Sequence, residues 1–202
     1  MMRSVFFSVL AAASLAIPTV VCAQVSDPAQ APVAALDQGL IGIMKSGKSA
    51  GMRGRSSAIA PVVDRVYDIP LMTRLAVGAP WTAIAPADQV ALVTALRRMT
   101  IAQYASNFDG YTGQSFVVDP RVDVRGTDRM VRTVLKDAKG ESVAIAYRLR
   151  QSGGSWKIID VFYKNSISQL ATRRSDFAGI LASGGARALV SHLNALSAKV
   201  GG

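Results

Sequence analysis

The chain has 202 residues, of which half are hydrophobic and 18% are charged, and its formal net charge is +10 at pH 7. This length suits one domain with a core of its own, and the apolar content excludes an intrinsically disordered chain. The single cysteine, Cys22, and the single histidine, His192, exclude a structural zinc site, which needs about four Cys or His ligands.

The first 23 residues predict a secretory signal peptide. Arg3 gives a basic start, an apolar run follows over Val5 to Ile17, and small residues lead to a cleavage site after Ala23. That run is shorter than the roughly 20 residues of a membrane-spanning helix. Cys22 leaves a lipoprotein as an alternative. We therefore predict an exported single domain over residues 24–202, with an ordered core over about 33–198 and no disulfide. Cleavage lowers the formal charge from +10 to +9, because only Arg3 is lost.

The first half of the mature chain predicts four helices. Apolar spacing favours a helix from Val33 to residue 47, followed by a mobile basic loop over 45–55. The regular part of a second helix is predicted to start near Pro61, because proline suits the first turn of a helix. A short third helix covers residues 70–78, and the fourth and longest starts at Pro86.

From Gly113 onwards the hydrophobic period changes to two, which predicts strands. They cover about 114–118, 122–136 with a turn at Gly126, 142–150 and 156–163, joined by tight turns. Two helices close the chain, around 166–181 and 185–199, with Gly184 and Gly185 between them. The predicted fold class is α+β, with a strongly curved antiparallel sheet of four or five strands covered by helices on one face.

The strand over 142–150 predicts two sheet faces of different character. By alternation, one face carries Val143, Ile145, Tyr147 and Leu149. The other face carries alanines and arginines. Small residues on a helix-covered sheet leave room for a cavity.

No catalytic set is evident in the sequence. There is no nucleophile elbow, no P-loop and no dinucleotide-binding glycine pattern, and His192 is interpreted as a surface or packing residue. The glycines beside Arg53 and Arg55 offer a weak phosphate site at a helix start, but a flexible loop is the favoured interpretation. We predict neither an enzyme nor a metal site, and no cofactor.

Asp160 is the one acid inside an otherwise apolar strand. Period two places it on one face with Trp156, Ile158 and Phe162. A buried carboxylate costs several kcal/mol unless it is paired or hydrogen-bonded. We predict a structural role, with a partner in Arg173, in Arg174 or in the backbone N–H groups where the next helix starts. A catalytic role is the alternative.

The basic surplus is spread along the chain. Export argues against nucleic acid as the partner, and anionic lipid headgroups or acidic faces of membrane-complex subunits are better candidates. The alternative is that many of these charges are solvated surface.

Five short stretches occur in an order that resembles a known family. They are Leu75–Trp81, Pro86–Gln89, Tyr111–Gly113, Trp156–Val161 and Ser166–Phe177. Together they resemble the MlaC or toluene-tolerance family of periplasmic lipid-binding proteins, over about residues 33–196. The stretches "NFDGYTGQ" and "RRSDFAGILASGG" are most similar to its hopanoid-biosynthesis-associated (HpnM-like) branch. Asn165 departs from the usual glycine, but asparagine tolerates a positive φ, so we expect the turn to form.

The resemblance implies a lipid carrier. Its fold is expected to be an NTF2-like cone around an apolar cavity that holds phospholipid or hopanoid tails. The implied partners are an outer-membrane lipoprotein complex and an inner-membrane ABC transporter, between which a monomeric carrier shuttles lipid through the periplasm. Pattern and resemblance together predict these lipid-binding residues: Val63, Val66, Tyr67, Ile69, Met72, Leu75, Leu92, Leu96, Met99, Ile101, Tyr104, Val134, Ile145, Tyr147, Trp156, Ile158 and Phe162.

Two other functions stay open at this point. One is an enzyme on an NTF2-like fold, for which Asp160 and Tyr147 are the only candidate pair. The other is an adaptor of a membrane complex that binds no ligand.

Overall fold

The computed structural model describes residues 27–201. The predicted signal peptide and its cleavage site lie outside these residues. Four helices precede the sheet: α1 (Gln30–Ser46), α2 (Gly51–Val66), α3 (Ile69–Val77) and α4 (Pro86–Asn107). Short 3₁₀ turns cover Lys48–Ala50 and Ala79–Ala83.

Helix α3 has the ends that its sequence predicts. The Asp68 side chain accepts a hydrogen bond of 2.9 Å from the Leu71 backbone N–H, which caps the first turn. The helix stops at Gly78, whose φ of 72° suits glycine better than any other residue.

Helix α2 begins ten residues earlier than predicted, and the predicted mobile loop is largely helical. Arg55 is the cause, because it is buried instead of solvated. Its Nε donates to the Ala105 carbonyl at 2.7 Å and its Nη1 to the Gly47 carbonyl at 2.9 Å. Pro61 therefore lies inside the helix, which tolerates the loss of one backbone hydrogen bond. Arg55, which lies in the stretch suggested as a weak phosphate site, directs Nε and Nη1 to backbone carbonyls.

The sheet is an antiparallel meander in the order β1-β2-β3-β4-β5. Its strands are β1 (Ser115–Arg125), β2 (Asp128–Lys136), β3 (Ser142–Ser152), β4 (Ser155–Tyr163) and β5 (Ile167–Ser168). The α+β class with a sheet of four or five antiparallel strands is confirmed. The sequence did not predict the short strand β5, nor that β1 continues through an irregularity between Val118 and Val122.

Helix α5 (Gln169–Gly201) closes the chain. Gly185 interrupts it with φ 67° and ψ −166°, so two helical halves meet at a kink where the sequence predicts a separation. Helix α5 packs along α4 and also contacts α3 and β4. It thereby holds the helical layer against the sheet.

The two faces of the sheet differ in character. On the inner face, Val131, Tyr147 and Leu149 are buried under the helices, as the predicted alternation of β3 requires. The outer face carries charged side chains, among them Asp128 and Arg150, whose two hydrogen bonds measure 2.6 and 2.9 Å. One sided burial of this kind is typical of an antiparallel sheet.

A β-bulge in β4 reverses its alternation. Arg148 pairs with Asp160 and Leu149 pairs with Ile158, so Ile159 is an extra residue. Val161 and Tyr163 consequently pair with Tyr147 and Ile145 and lie on the inner face. Asp160 and Phe162 lie on the outer face. The predicted common face with Asp160 is therefore right for Phe162 but wrong for Trp156 and Ile158, because strict period two cannot anticipate an inserted residue.

Two of the family-like stretches join α3 to α4 and α5. Gln89 donates from Nε2 to the carbonyls of Trp81 and Ile84, at 2.8 and 3.1 Å. A Cβ at Gly78 would lie 3.3 Å from the guanidinium of Arg174, so only glycine leaves this contact undisturbed.

The turn after β4 forms as predicted. Asn165 has φ 57° and its neighbour Lys164 has φ 50°. Two consecutive left-handed residues are the geometry of a type I′ turn, for which asparagine is well suited.

Candidate functional site

A cavity of about 410 Å³ lies between the inner face of the sheet and the helices. Helices α1, α3, α4 and α5 and strands β2, β3 and β4 all contribute to its wall. Its lining residues are Leu40, Tyr67, Met72, Thr100, Gln103, Tyr104, Asn107, Phe108, Leu135, Val143, Ile145, Tyr147, Val161, Tyr163, Gln169 and Arg173. Most of this surface is aliphatic or aromatic, so the cavity favours an apolar occupant.

Of the predicted lipid-binding residues, five are on the cavity wall. They are Tyr67, Met72, Tyr104, Ile145 and Tyr147. Ten others lie in the core or pack against it without lining the cavity: Val63, Val66, Ile69, Leu75, Leu92, Leu96, Met99, Ile101, Trp156 and Ile158. Helical period shows that such residues are buried, but not whether their neighbour is another side chain or an open space.

Two predicted residues, Val134 and Phe162, lie on the outer face of the sheet. Val134 pairs with Val117 and Ala144, while its neighbour Leu135 points to the cavity side with Val143. Phe162 is turned outwards by the bulge in β4. Their placement on the cavity wall is corrected for these reasons.

The prediction missed eleven lining residues, and two different reasons account for seven of them. Leu135 and Val143 share the inner face with Ile145, so consistent use of the alternation would have found them. The polar members could not be found in this way, because a search for apolar periodicity passes over them. These are Thr100, Gln103, Asn107, Gln169 and Arg173.

Three of the four lining tyrosines are buried deeply enough to give the wall neutral polar groups. The hydroxyls of Tyr67 and Tyr104 are hydrogen-bonded to each other, and their rings are tilted with centroids 6.3 Å apart. Burial raises the pKa of both hydroxyls and that of Tyr147. They stay protonated near neutral pH, so they add hydrogen-bonding capacity without charge.

Asp37 is a buried carboxyl on α1, one turn before Leu40. It is 5% exposed, and neither of its side-chain oxygens has a hydrogen-bond partner within residues 27–201. Burial raises its pKa to about 7. Much of this carboxyl is therefore protonated at neutral pH, as expected for an unpaired acid in an apolar interior.

Among the described residues that line the cavity, Arg173 is the one that carries a charge. Its Nη2 donates to Gln103 Oε1 at 3.2 Å, which joins α5 to α4. No carboxylate of the described chain lies within 4 Å of its guanidinium. Burial lowers the pKa of this guanidinium, but arginine stays protonated in proteins.

Asp160 has one of its predicted partners. Its Oδ1 accepts from the backbone N–H groups of Val161 and Leu170 at 2.8 and 3.0 Å, and its Oδ2 accepts from Ser168 Oγ at 2.6 Å. Leu170 belongs to the first turn of α5, so the helix start is the partner. The nearest cation is Arg148, at 3.9 Å, instead of Arg173 or Arg174.

The candidate catalytic pair of Asp160 and Tyr147 does not form. Tyr147 faces the cavity, whereas Asp160 pairs with Arg148 on the outer face. His192 is exposed on α5. Within residues 27–201, no group of three or more His, Cys, Asp or Glu side chains could hold a metal ion. None of the helices in that part of the chain combines the length and the hydropathy of a bilayer span.

Comparisons with known proteins give a family and a related structure. A family model described as MlaC protein matches residues 35–195. A solved structure of a phospholipid-binding protein from Ralstonia solanacearum, in complex with a phospholipid, is similar to this chain with a TM-score of 0.74 and 25% identity. The similarity covers 85% of this chain and 98% of that one. No curated protein matches the sequence.

Proposed function

The chain belongs to the MlaC family, and from that membership we propose that it is a periplasmic lipid carrier. Its cavity holds the apolar tails of a phospholipid or a hopanoid. The observation that carries the proposal is the apolar cavity between sheet and helices. The similar Ralstonia protein, which is named as phospholipid-binding and was solved with a phospholipid, supports it.

The physical need for such a cavity follows from the cost of hydrating lipid tails. Each buried CH₂ group contributes about 0.8 kcal/mol, so ten buried methylenes of a tail contribute about 8 kcal/mol. A volume of about 410 Å³ falls at the small end of the range for ligand pockets. It suits the tails of a lipid, with the headgroup nearer to solvent.

A lipid carrier needs a binding cavity but no catalytic site. Transfer of a lipid through an aqueous compartment requires a dry pocket and no bond making, so no catalytic group is needed. We propose that the monomer delivers its cargo between an outer-membrane lipoprotein complex and an inner-membrane ABC transporter. The likeness to the hopanoid-associated branch makes a hopanoid the alternative cargo to a phospholipid.

Lipid uptake by a cavity-blocked variant tests the proposal. Val143 lines the cavity, so Val143→Trp should fill space that the tails need. Val117 lies on the outer face and is 48% exposed, so Val117→Trp is the matched control. Delipidated protein is incubated with vesicles of fluorescent phospholipid, the vesicles are sedimented, and the lipid that remains with soluble protein is measured.

We expect the wild type and Val117→Trp to extract lipid at close to one molecule per chain, and Val143→Trp to lose most of this uptake. Circular dichroism checks that both variants are folded. Equal uptake by both tryptophan variants would place the lipid elsewhere on the molecule. No uptake by the folded wild type would exclude phospholipid as the cargo, and no uptake from hopanoid-containing vesicles as well would remove the carrier function.

A further inference from the structure

Arg173 places a positive charge on an otherwise neutral cavity wall. All other lining residues are apolar, hydroxyl-bearing or amide side chains. A cation in such a position normally has a carboxylate partner, because its desolvation is costly. The buried Arg55 meets this cost with two backbone carbonyls, those of Ala105 and Gly47, whereas Arg173 has one side-chain acceptor, Gln103.

The nearest candidate carboxylate is already engaged elsewhere. Asp160 contributes to the electrostatic field at Arg173, but it is not within ion-pair distance of that guanidinium. Its oxygens accept from Ser168 and from the backbone N–H groups of Val161 and Leu170. Arg173 therefore keeps its charge without a matching anion among residues 27–201.

The side chains around Arg173 are suited to a polar group. Gln103 accepts one of its N–H groups, which fixes the guanidinium and leaves other donors of its five N–H groups unused. Asn107 and Gln169 line the same cavity and add amide groups. A guanidinium fork matches the oxygens of a phosphate in geometry and in charge.

We propose that Arg173 binds the phosphate of a phospholipid headgroup while the tails occupy the cavity, and that it makes the carrier prefer phospholipids to neutral lipids. This inference rests on the proposed carrier function and sharpens it. A neutral hopanoid would leave the arginine without an anion. A phospholipid supplies the missing charge at the wall.

Two lipids with the same tails separate the effect of the phosphate from that of the cavity. Delipidated wild type is offered vesicles that contain equal amounts of dioleoylphosphatidylglycerol and dioleoylglycerol, and native mass spectrometry measures which lipid is bound. We expect the phospholipid to be preferred at least about tenfold, as a charged hydrogen bond allows. In Arg173→Gln this preference should fall to within about twofold, while dioleoylglycerol still binds.

Arg187 provides the matched control. It lies on the same helix with a side chain that is 90% exposed, so Arg187→Gln removes the same charge away from the cavity and should keep the wild-type preference. Arg173→Lys is a second variant in case the glutamine variant does not fold. It keeps the charge but loses the fork, and we expect an intermediate preference.

Each of the other outcomes overturns the inference in a distinguishable way. If the wild type binds both lipids equally, or if the Arg173 variants keep its preference, lipids are carried but Arg173 does not select them. If the wild type binds neither lipid, it does not carry phospholipid, and the inference falls with that cargo. If millimolar inorganic phosphate without lipid stabilises the wild type but not Arg173→Gln, and the wild type does not prefer the phospholipid, the site takes a free anion instead of a lipid phosphate.

Discussion

Asp37 is the residue that most clearly opposes the stability of the fold. Its carboxyl has no hydrogen-bond partner among the described residues, and burial raises its pKa from 3.8 to about 7. Well below pH 3.8 it is protonated in both the folded and the unfolded state, so its ionisation adds no cost there. As the pH rises from 4 to 7, the unfolded chain ionises first, so the folded state loses about 4 kcal/mol of stability.

Replacement of Asp37 by leucine should remove this penalty. We expect Asp37→Leu to raise the free energy of unfolding, and the gain should be about 2 kcal/mol larger at pH 8 than at pH 5. Urea denaturation at both pH values measures it. An equal gain at both pH values would mean that the pKa of Asp37 is not raised in the folded state.

Asp160 has the opposite role, because it stabilises the junction of β4 with α5. Asp160→Asn replaces one acceptor oxygen by a donor that faces other donors, and should cost about 1–3 kcal/mol of unfolding free energy. Asp176→Asn, at an exposed position of α5, should change the free energy of unfolding by less than about 0.5 kcal/mol. Chemical denaturation compares the two variants.

Lipid uptake separates this structural role from a functional one. Asp160 lies on the outer face, so folded Asp160→Asn should take up lipid as the wild type does. A variant with unchanged stability but no uptake would instead place Asp160 in the function of the cavity.

At the scale of elements, the kink in α5 is the most testable feature. Gly185 has a φ and ψ that are essentially limited to glycine, and an added Cβ would meet no atom within 4 Å. Gly185→Ala should therefore lower stability by about 1–3 kcal/mol through backbone strain alone. Gly179 is helical with equally open surroundings, so Gly179→Ala should instead add about 0.5–1 kcal/mol.

Thermal unfolding of the two alanine variants decides the point. Melting temperatures that move in opposite directions are expected. If both variants are stabilised, α5 is a continuous helix in solution and the break at Gly185 is not a property of the fold.

The elements also show how far the sequence determines the architecture. The order of helices and strands, the faces of β3 and the break at Gly185 all follow from period, turn residues and glycine. The bulge at Ile159 does not, because two adjacent isoleucines fit either phase of a strand. The early start of α2 was also missed, since it depends on hydrogen bonds from Arg55 to the distant Ala105 and to Gly47.

At the scale of the whole molecule, the cavity is harder to predict than the core. Both are lined by buried apolar residues, and Leu96 in the core differs from Ile145 at the cavity only in what lies beyond the side chain. A void depends on the summed volumes of residues from several elements. The hydrophobic periodicity of one helix or strand carries no information about that sum. Arg173 illustrates the same limit, because only the fold brings it beside Gln103 on α4.

The cargo of the protein as it is made in cells is the most direct test of the proposed function. Native mass spectrometry of the purified mature protein, followed by release and identification of any bound lipid, compares the wild type with Val143→Trp. We expect one phospholipid or hopanoid per wild-type chain and almost none in the variant. Wild-type protein that is folded and lipid-free, and that also extracts nothing from vesicles, would show that the cavity does not carry lipid.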